Sequence, residues 1–414
     1  MSIFNFDKSK TFDHSIRKKD TLEVSPSTSS AESLNKTGTL LFQVQQSSNP
    51  LDICNSWMYF KIKITGCDDA TTNIALEHNW FLHLFSQMSI KLGSSEIENI
   101  ENPGDVSSLL QFVMTDSDFK NQYGEISGWI PDVGKGDETN TGYTKRKDLY
   151  MTTKTFEGMY PLKNVFGFFQ LYNRIIYNIP FELRINRDNN YKKVFYGKEV
   201  KAGDSPKIHF KDLKLFIPSI TCNAALETHI MERLNKPTPI QVDYLQRISA
   251  SADVPEGSTF SWKPVILSSR PRFILLGFKE NEIDYLKNNS KFIQGIGDNQ
   301  IKSLRVQLNS SYYPIDPMNF NGKNNEFAKP YFSYIDVCKE FGVDPQLGYL
   351  DYKNLYSVFA IDLSEQDEKL AINGVNVTIE ITKDTAFKAK CVCVILVEKE
   401  ISIELTNGKM TTIK

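Results

Sequence analysis

Apolar and polar positions alternate with period two in several stretches of the chain, most plainly in FELRINR (residues 181–187) near its midpoint and VNVTIEIT (residues 375–382) near its end. Side chains of a strand point alternately to its two faces, so Phe181, Leu183 and Ile185 turn to a core while Glu182, Arg184 and Asn186 turn to water. Leu40, Phe42 and Val44, then Met58, Phe60, Ile62 and Ile64, predict two earlier strands. In IHFKDLKLFI (208–217) the apolar parity switches at Lys211 and Asp212, which predicts a bulged strand or a crossing between sheets. The second half repeats the plan, with strand patterns at 242–248, 272–278, 304–308, 375–381, 391–397 and 401–405. Asn407 and Gly408 mark a hairpin turn before a last strand at 410–413.

Helical spacing is confined to the connections. Phe81, Leu84, Phe85 and Met88 fit one short helix, and Val106, Leu109, Leu110 and Val113 fit a second that Asp105 can N-cap. Residues 223–234 read as a helical connector ahead of Pro237 and Pro239, and a helix over 333–341 is closed by Gly342 at its C′ position. PDVGKGDETNTGYTKRKD (131–148) is rich in Gly and charge without periodicity, and predicts a long exposed loop. The expected fold class is therefore all-β, two consecutive β-sandwich domains, each a jelly roll or a related sandwich, with short helices in the connections. Residues 1–36 carry SPSTSS and cancelling charges, and predict an N-terminal arm, flexible or ordered on assembly. The first jelly roll is expected over 37–217 and the second over 218–414.

A chain of 414 residues exceeds the size at which one core stops growing, which agrees with two domains. The net charge of −2 gives no long-range attraction for nucleic acid or anionic membrane, so no sequence-specific nucleic acid binding is expected. No run of about 18 apolar residues occurs and the first residues lack a signal-peptide core, so no membrane span is expected and the chain reads as made in the cytosol.

Catalytic chemistry is not visible. No G-x-S-x-G, Walker A, G-x-G-x-x-G, H-E-x-x-H or EF-hand pattern appears. The histidines His14, His78, His83, His209 and His229 form no H-x-H pair, and His78 and His83 are five apart, off a shared helical face. Cys54, Cys67, Cys222, Cys338, Cys391 and Cys393 form no C-x-x-C and read as buried free thiols. AGDSP (202–206) reads as a turn, KRKD (145–148) and EQDEK (365–369) as solvated loop faces, and Trp57, Trp80, Trp129 and Trp262 as core or interface packing. No catalytic, cofactor or metal residue is therefore assigned, and no enzyme activity or cofactor is expected.

The order of segments resembles that of the double jelly-roll major capsid proteins of the Polinton/Maverick and adintovirus group. In the first half the similar pieces are NWFLHLFSQMSIKLGSSEIE (79–98), SSLLQFVMT (107–115) and MYPLKNVFGFFQLYNRIIYNIPFELRINRDNNYKKVF (159–195), a hydrophobic loop and then a strand ending in Arg187. KIHFKDLKLFIPSITCNAALETHIMERL (207–234) resembles the crossover into a second barrel. SSRPRFILLGF (268–278), IKSLRVQLNSSYYP (301–314) and VILVEKEISIEL (394–405) follow in order. The resemblance implies a homotrimer of pseudo-hexagonal shape that tiles an icosahedral capsid lattice around a DNA genome, with a minor (penton) capsid protein as a further partner and the virion capsid as its location. It also implies that the connections 131–148 and 316–348 supply subunit contacts or an outer crown, and that the arm lies inside the shell. From the residues alone, a two-domain β-sandwich module binding carbohydrate or protein remains the alternative, and an enzyme on the same scaffold ranks third.

Overall fold

A computed structural model of the chain describes residues 15–27, 35, 38–45, 47–66, 73–133, 140–172, 174–188, 190, 193–199, 205–236, 238–279, 291–292, 301–321, 324–366, 374–383, 387–406 and 409–413. Its main strands fall into two sets. In the first half they are β1 (Ile16–Val24), β2 (Thr39–Val44), β3 (Trp57–Thr65), β4 (Phe85–Leu92), β5 (Ser95–Glu101), β6 (Thr155–Pro161), β7 (Phe181–Arg187) and β8 (Lys207–Cys222). In the second they are β9 (Ile240–Val254), β10 (Thr259–Trp262), β11 (Pro271–Lys279), β12 (Ile301–Leu308), β13 (Ser311–Asn319), β14 (Phe359–Asp362), β15 (Val375–Lys383) and β16 (Ala389–Thr406).

The two sets are wired alike. The first half pairs as β1-β8-β3-β6 and β2-β7-β4-β5, and the second as β9-β16-β11-β14 and β10-β15-β12-β13. Adding eight to each strand number of the first half gives the second, so each half is a jelly-roll sandwich with the same connectivity. FELRINR and VNVTIEIT are β7 and β15, equivalent inner strands of the two barrels. Phe181, Leu183 and Ile185 are buried as the alternation predicts. The sheets of the first sandwich face each other through Phe85 of β4, whose ring stacks on Phe210 of β8 at 6.4 Å. Arg187 ends β7 by lying over the same ring at 4.8 Å and donating to the Ile208 carbonyl at 3.1 Å. Short strands add to this frame: Asn73–Leu76 pairs with Phe195–Glu199, and Lys409–Ile413 pairs with the end of β16, with Thr406 opposite Lys409.

Several expectations need correction. The 1–36 segment is not all arm, because β1 lies within it and pairs with β8 from Ile16 opposite Cys222 to Val24 opposite Leu215. Edge strands carry charge on their open side, and the exposed residues 17–21 of β1 (RKKDT) hide its β character. Asn35 is also fixed, accepting from Phe210 N at 2.8 Å and donating back to its carbonyl at 3.0 Å. The expected division after residue 217 falls inside β8, and the helix α3 named below follows that strand. The helix expected from Phe81 to Met88 ends at His83, and Phe85 begins β4. Phe85 sits at a register shift at the start of β4, and its three-residue spacing to the buried Met88 mimics a helix.

The connections carry helices α1 (Pro103–Met114), α2 (Thr141–Met151), α3 (Ala224–Leu234), α4 (Ala328–Glu340) and α5 (Tyr349–Asn354). Asp105 lies inside α1, which Asn102 and Pro103 begin, so it is not the N-cap. Where 131–148 predicted an exposed loop, residues 141–148 are helical, Asn140 caps them by accepting from Tyr143 N, and Arg146 is fully buried. Residues 134–139 lie outside the described residues. The connection 316–348 holds the end of β13 and the helix α4, which covers most of the helix expected over 333–341 and packs beside β14. The bulge read in 208–217 stands between Phe210 and Asp212, α3 is capped by Asn223 accepting from Leu226 N, and Gly342 follows α4 at φ 67°.

Candidate functional site at the seam between the barrels

The polar chemistry of the molecule gathers where the two barrels meet. α1, the first helix of the β5–β6 connection, lies against β11, β16 and α4 of the second half. Val106, Leu109, Leu110 and Val113 are buried, as their spacing predicts, and Phe112 is buried with them. Its last carbonyls, which no helical N–H can satisfy, are taken by the partner barrel: Gln346 donates to Gln111 O at 2.9 Å and Thr115 O at 2.7 Å, and Tyr334 donates to Phe112 O at 2.8 Å. Trp129 donates its indole N–H to Gln346 at 3.1 Å. His78, Phe112, Trp129 and Tyr356 form one ring cluster, with His78 and Trp129 at 4.1 Å and Phe112 and Tyr356 at 4.6 Å.

Three sets of buried charge line this seam. Asp105 of α1 meets Lys279 of β11 at 2.5 Å, with His83 Nδ1 at 3.9 Å from the same carboxylate. Burial would raise the Asp105 pKa, but the Lys279 ammonium outweighs it and holds the carboxyl below its ordinary range. His83 is driven down to about 4 by burial, so it is neutral and donates no competing charge. Gly104 lets the His83 ring approach, since a Cβ there would collide with it.

In the second set, Arg146 is fully enclosed and donates to Leu76 O at 2.7 Å, Ile130 O at 2.6 Å and Asp132 Oδ1 at 2.7 Å. Lys291 reaches Asp132 Oδ2 at 3.4 Å, and Asp132 N donates to the Tyr356 hydroxyl at 2.9 Å. Burial opposes the Asp132 charge, yet Arg146 and Lys291 bring its pKa to about 2. The third set is Glu98 of β5, whose Oε1 accepts from Arg247 N of β9 at 2.7 Å and Oε2 from Phe168 N at 3.1 Å. Tyr244 donates to Ile97 O beside it at 2.9 Å. Gly167 makes this approach feasible, because a Cβ at that position would strike the Leu245 carbonyl.

The residues singled out from sequence are distributed around this seam. His78 and His83 are both buried in it, so neither faces solvent. Cys54, Cys338, Cys391 and Cys393 are buried thiols raised by burial, Cys222 is half-buried, and Cys67 lies outside the described residues. Trp80 and Trp129 are core residues. KRKD is not a solvated loop, since it is helical and contains Arg146. Residues 202–204 of AGDSP and 367–369 of EQDEK lie outside the described residues. Among the described residues no cluster of three or more His, Cys, Asp and Glu converges, and no helix is long and apolar enough to cross a membrane. The interlock itself was not read from sequence. Its visible trace is isolated charges in apolar or helical segments, such as Asp105 in PGDVSSLLQFV and Lys279 after RFILLGF.

Two jelly rolls of identical connectivity locked through a buried polar seam define a double jelly-roll protein. Residues 74–401 match the double jelly roll-like domain family, and the chain belongs to that family. No curated protein sequence matches it. Among solved structures it is similar to a chain of the Sputnik virophage, with TM-score 0.66 at 12% identity over 99% of this chain and 91% of that one. It is also similar to the capsid of the virus PBCV-1, with TM-score 0.60 at 10% identity over 99% of both chains. The mavirus major capsid protein follows with TM-score 0.55 at 11% identity, over 99% of this chain and 92% of that one. At these identities the likeness is one of fold.

Proposed function

We propose that this chain is a major capsid protein, a structural subunit without enzyme activity that forms trimers and tiles an icosahedral shell around a DNA genome. The observation that carries this reading is the strand order repeated in two barrels of one chain. Three copies present six similar barrels, so a threefold trimer acquires the near-sixfold outline that packs into a hexagonal lattice. A cyclic trimer also needs two different contact faces per subunit. Exposed apolar residues on both halves are suited to them: Ile126 and Leu171 on the first, Ile315, Phe332 and Leu350 on the second. The similarity to the mavirus and PBCV-1 capsid proteins supports the same reading.

The collinear segments that resemble the Polinton/Maverick and adintovirus group favour membership of that group, with a minor penton protein as partner, synthesis in the host cytoplasm and the virion capsid as the final location. The seam is the natural division between two domains, with α3 as the connector after β8. Size-exclusion chromatography with light scattering on purified protein, followed by negative-stain microscopy, tests the proposal. Trimers and ring-shaped or shell-like particles are expected, and a protein that stays monomeric at all concentrations would overturn it.

A further inference from the structure

The helix α3, which connects the two barrels, is thinly covered for its pattern. Leu226, Ile230 and Leu234 recur at four-residue spacing and form one apolar stripe, with Met231 at its border. Only Leu234 is buried, whereas Leu226, Ile230 and Met231 keep part of their surface open. A helix of 11 residues is marginal by itself, so it depends on what covers that stripe. The first barrel does this incompletely, since a notch of about 60 Å³ remains, lined by Ile230 and Met231 of α3 and by Pro50, Tyr177 and Cys222.

The chain's own first residues enter beside this helix. β1 starts with Ile16 opposite Cys222, and the Ser15 carbonyl accepts at 2.8 Å from the N–H of Asn223, the N-cap of α3. β1 runs antiparallel to β8, so the segment before Ser15 leaves the sheet at the point where α3 begins. Residues 1–14 lie outside the described residues, and their sequence, MSIFNFDKSKTFDH, holds Ile3, Phe4, Phe6 and Phe12. Phe12 is three residues from Ser15, a reach of about 10 Å, while Leu226 is three residues past Asn223, about 5 Å along the helix axis. The first aromatic ring of the segment therefore comes within reach of the open stripe.

We propose that the N-terminal segment of the same chain docks on α3, with the Phe12 ring against Leu226 and Ile230. Covering two aliphatic side chains with an aromatic ring removes apolar area from water on both partners. The tether decides between occupants. A segment held three residues away is present at an effective concentration of about millimolar, which the segment of a second copy in dilute solution does not match. The contact closes within one subunit, so it straps the connector between the barrels before any assembly takes place.

Hydrogen exchange of the purified full-length protein, read by mass spectrometry, tests this. Deleting residues 2–12 is expected to speed exchange of the amides of 227–234 at least about tenfold, and Phe12→Ser at least about fivefold. Phe12→Leu, which keeps an apolar side chain, should stay within about twofold of the parent. Exchange in β1 and β15 should not change, which separates a lost cover from fraying of the edge strand or loss of the fold. The parent's protection of α3 should also be equal at protein concentrations about twentyfold apart, as an intramolecular contact requires. Unchanged exchange of α3 in the deletion, equal effects of Phe12→Ser and Phe12→Leu, or a rise in β1 equal to that in α3 would each overturn the proposal. Protection that grows with concentration would put a second copy's segment on α3 and overturn it as well.

Discussion

Asp105 and Lys279 belong to different barrels, yet their charged groups are 2.5 Å apart with the side chains 9% and 6% exposed. Burial alone would discourage both charges, so each is stable only because the other is present. The pair therefore acts as a registration pin between the two halves.

Removing one partner should show this. Lys279→Met leaves Asp105 buried and unpaired, and is expected to lower stability by about 3–5 kcal/mol. The double variant Asp105→Asn with Lys279→Met removes both charges and should recover much of that loss. Urea unfolding of the three proteins checks it, and equal midpoints for the single and double variants would contradict it.

Arg146 serves three acceptors at once from one planar group. A lysine at 146 keeps the charge but cannot span Leu76 O, Ile130 O and Asp132 together. Arg146→Lys is expected to cost about 2–4 kcal/mol, from acceptors left without donors. Hydrogen exchange of the amides around residues 74–76 and 130–132 should rise in this variant, while exchange in β15 stays unchanged.

Acid should weaken the seam. His83 titrates near 4 in the fold and near 6.5 when unfolded, and His78 is likewise depressed by burial. Between those values the unfolded chain holds the extra proton, so stability falls as pH drops from 6.5 toward 4, by about 1.4 kcal/mol per pH unit for His83, and His78 adds a loss in the same direction. Asp105, depressed in the fold, adds a loss in the same direction at still lower pH. Unfolding midpoints measured from pH 7 to 4 should show this slope, and His83→Gln should make it shallower.

The edge strand gives a fourth prediction. Deleting residues 1–27 removes β1 and uncovers the β8 edge, which still carries buried Leu213, Leu215 and Ile217. The truncated protein is expected to melt lower and to aggregate, because a bare edge invites pairing with other chains. Asn35→Ala, which deletes only the clamp on Phe210, should cost about 1 kcal/mol. A truncated chain with unchanged melting temperature would show that β1 is dispensable.

Legibility in the sequence followed burial. FELRINR and VNVTIEIT bury one face and expose part of the other, so their alternation is visible, and their matching places in the two barrels follow from it. β1 is an edge strand with only Leu22 and Val24 against the core, and its charges made it look like a tether. α2 was hidden for the opposite reason: its inward face carries Arg146 and tyrosines, so no apolar stripe exists to be seen. Several contacts of the seam join residues more than one hundred positions apart, as in the Glu98 carboxylate with the Arg247 backbone N–H and Asp105 with Lys279. One sequence carries no signal for such pairings, since each charge looks like surface until its partner is placed.

A doubled barrel that serves as a building block must assemble with its own copies. Sedimentation velocity of the purified protein, whose subunit mass is 47.3 kDa, tests it most directly. A dominant species of three subunits is expected, giving way to larger particles as concentration rises. A single 47.3 kDa species across the accessible concentration range would contradict it.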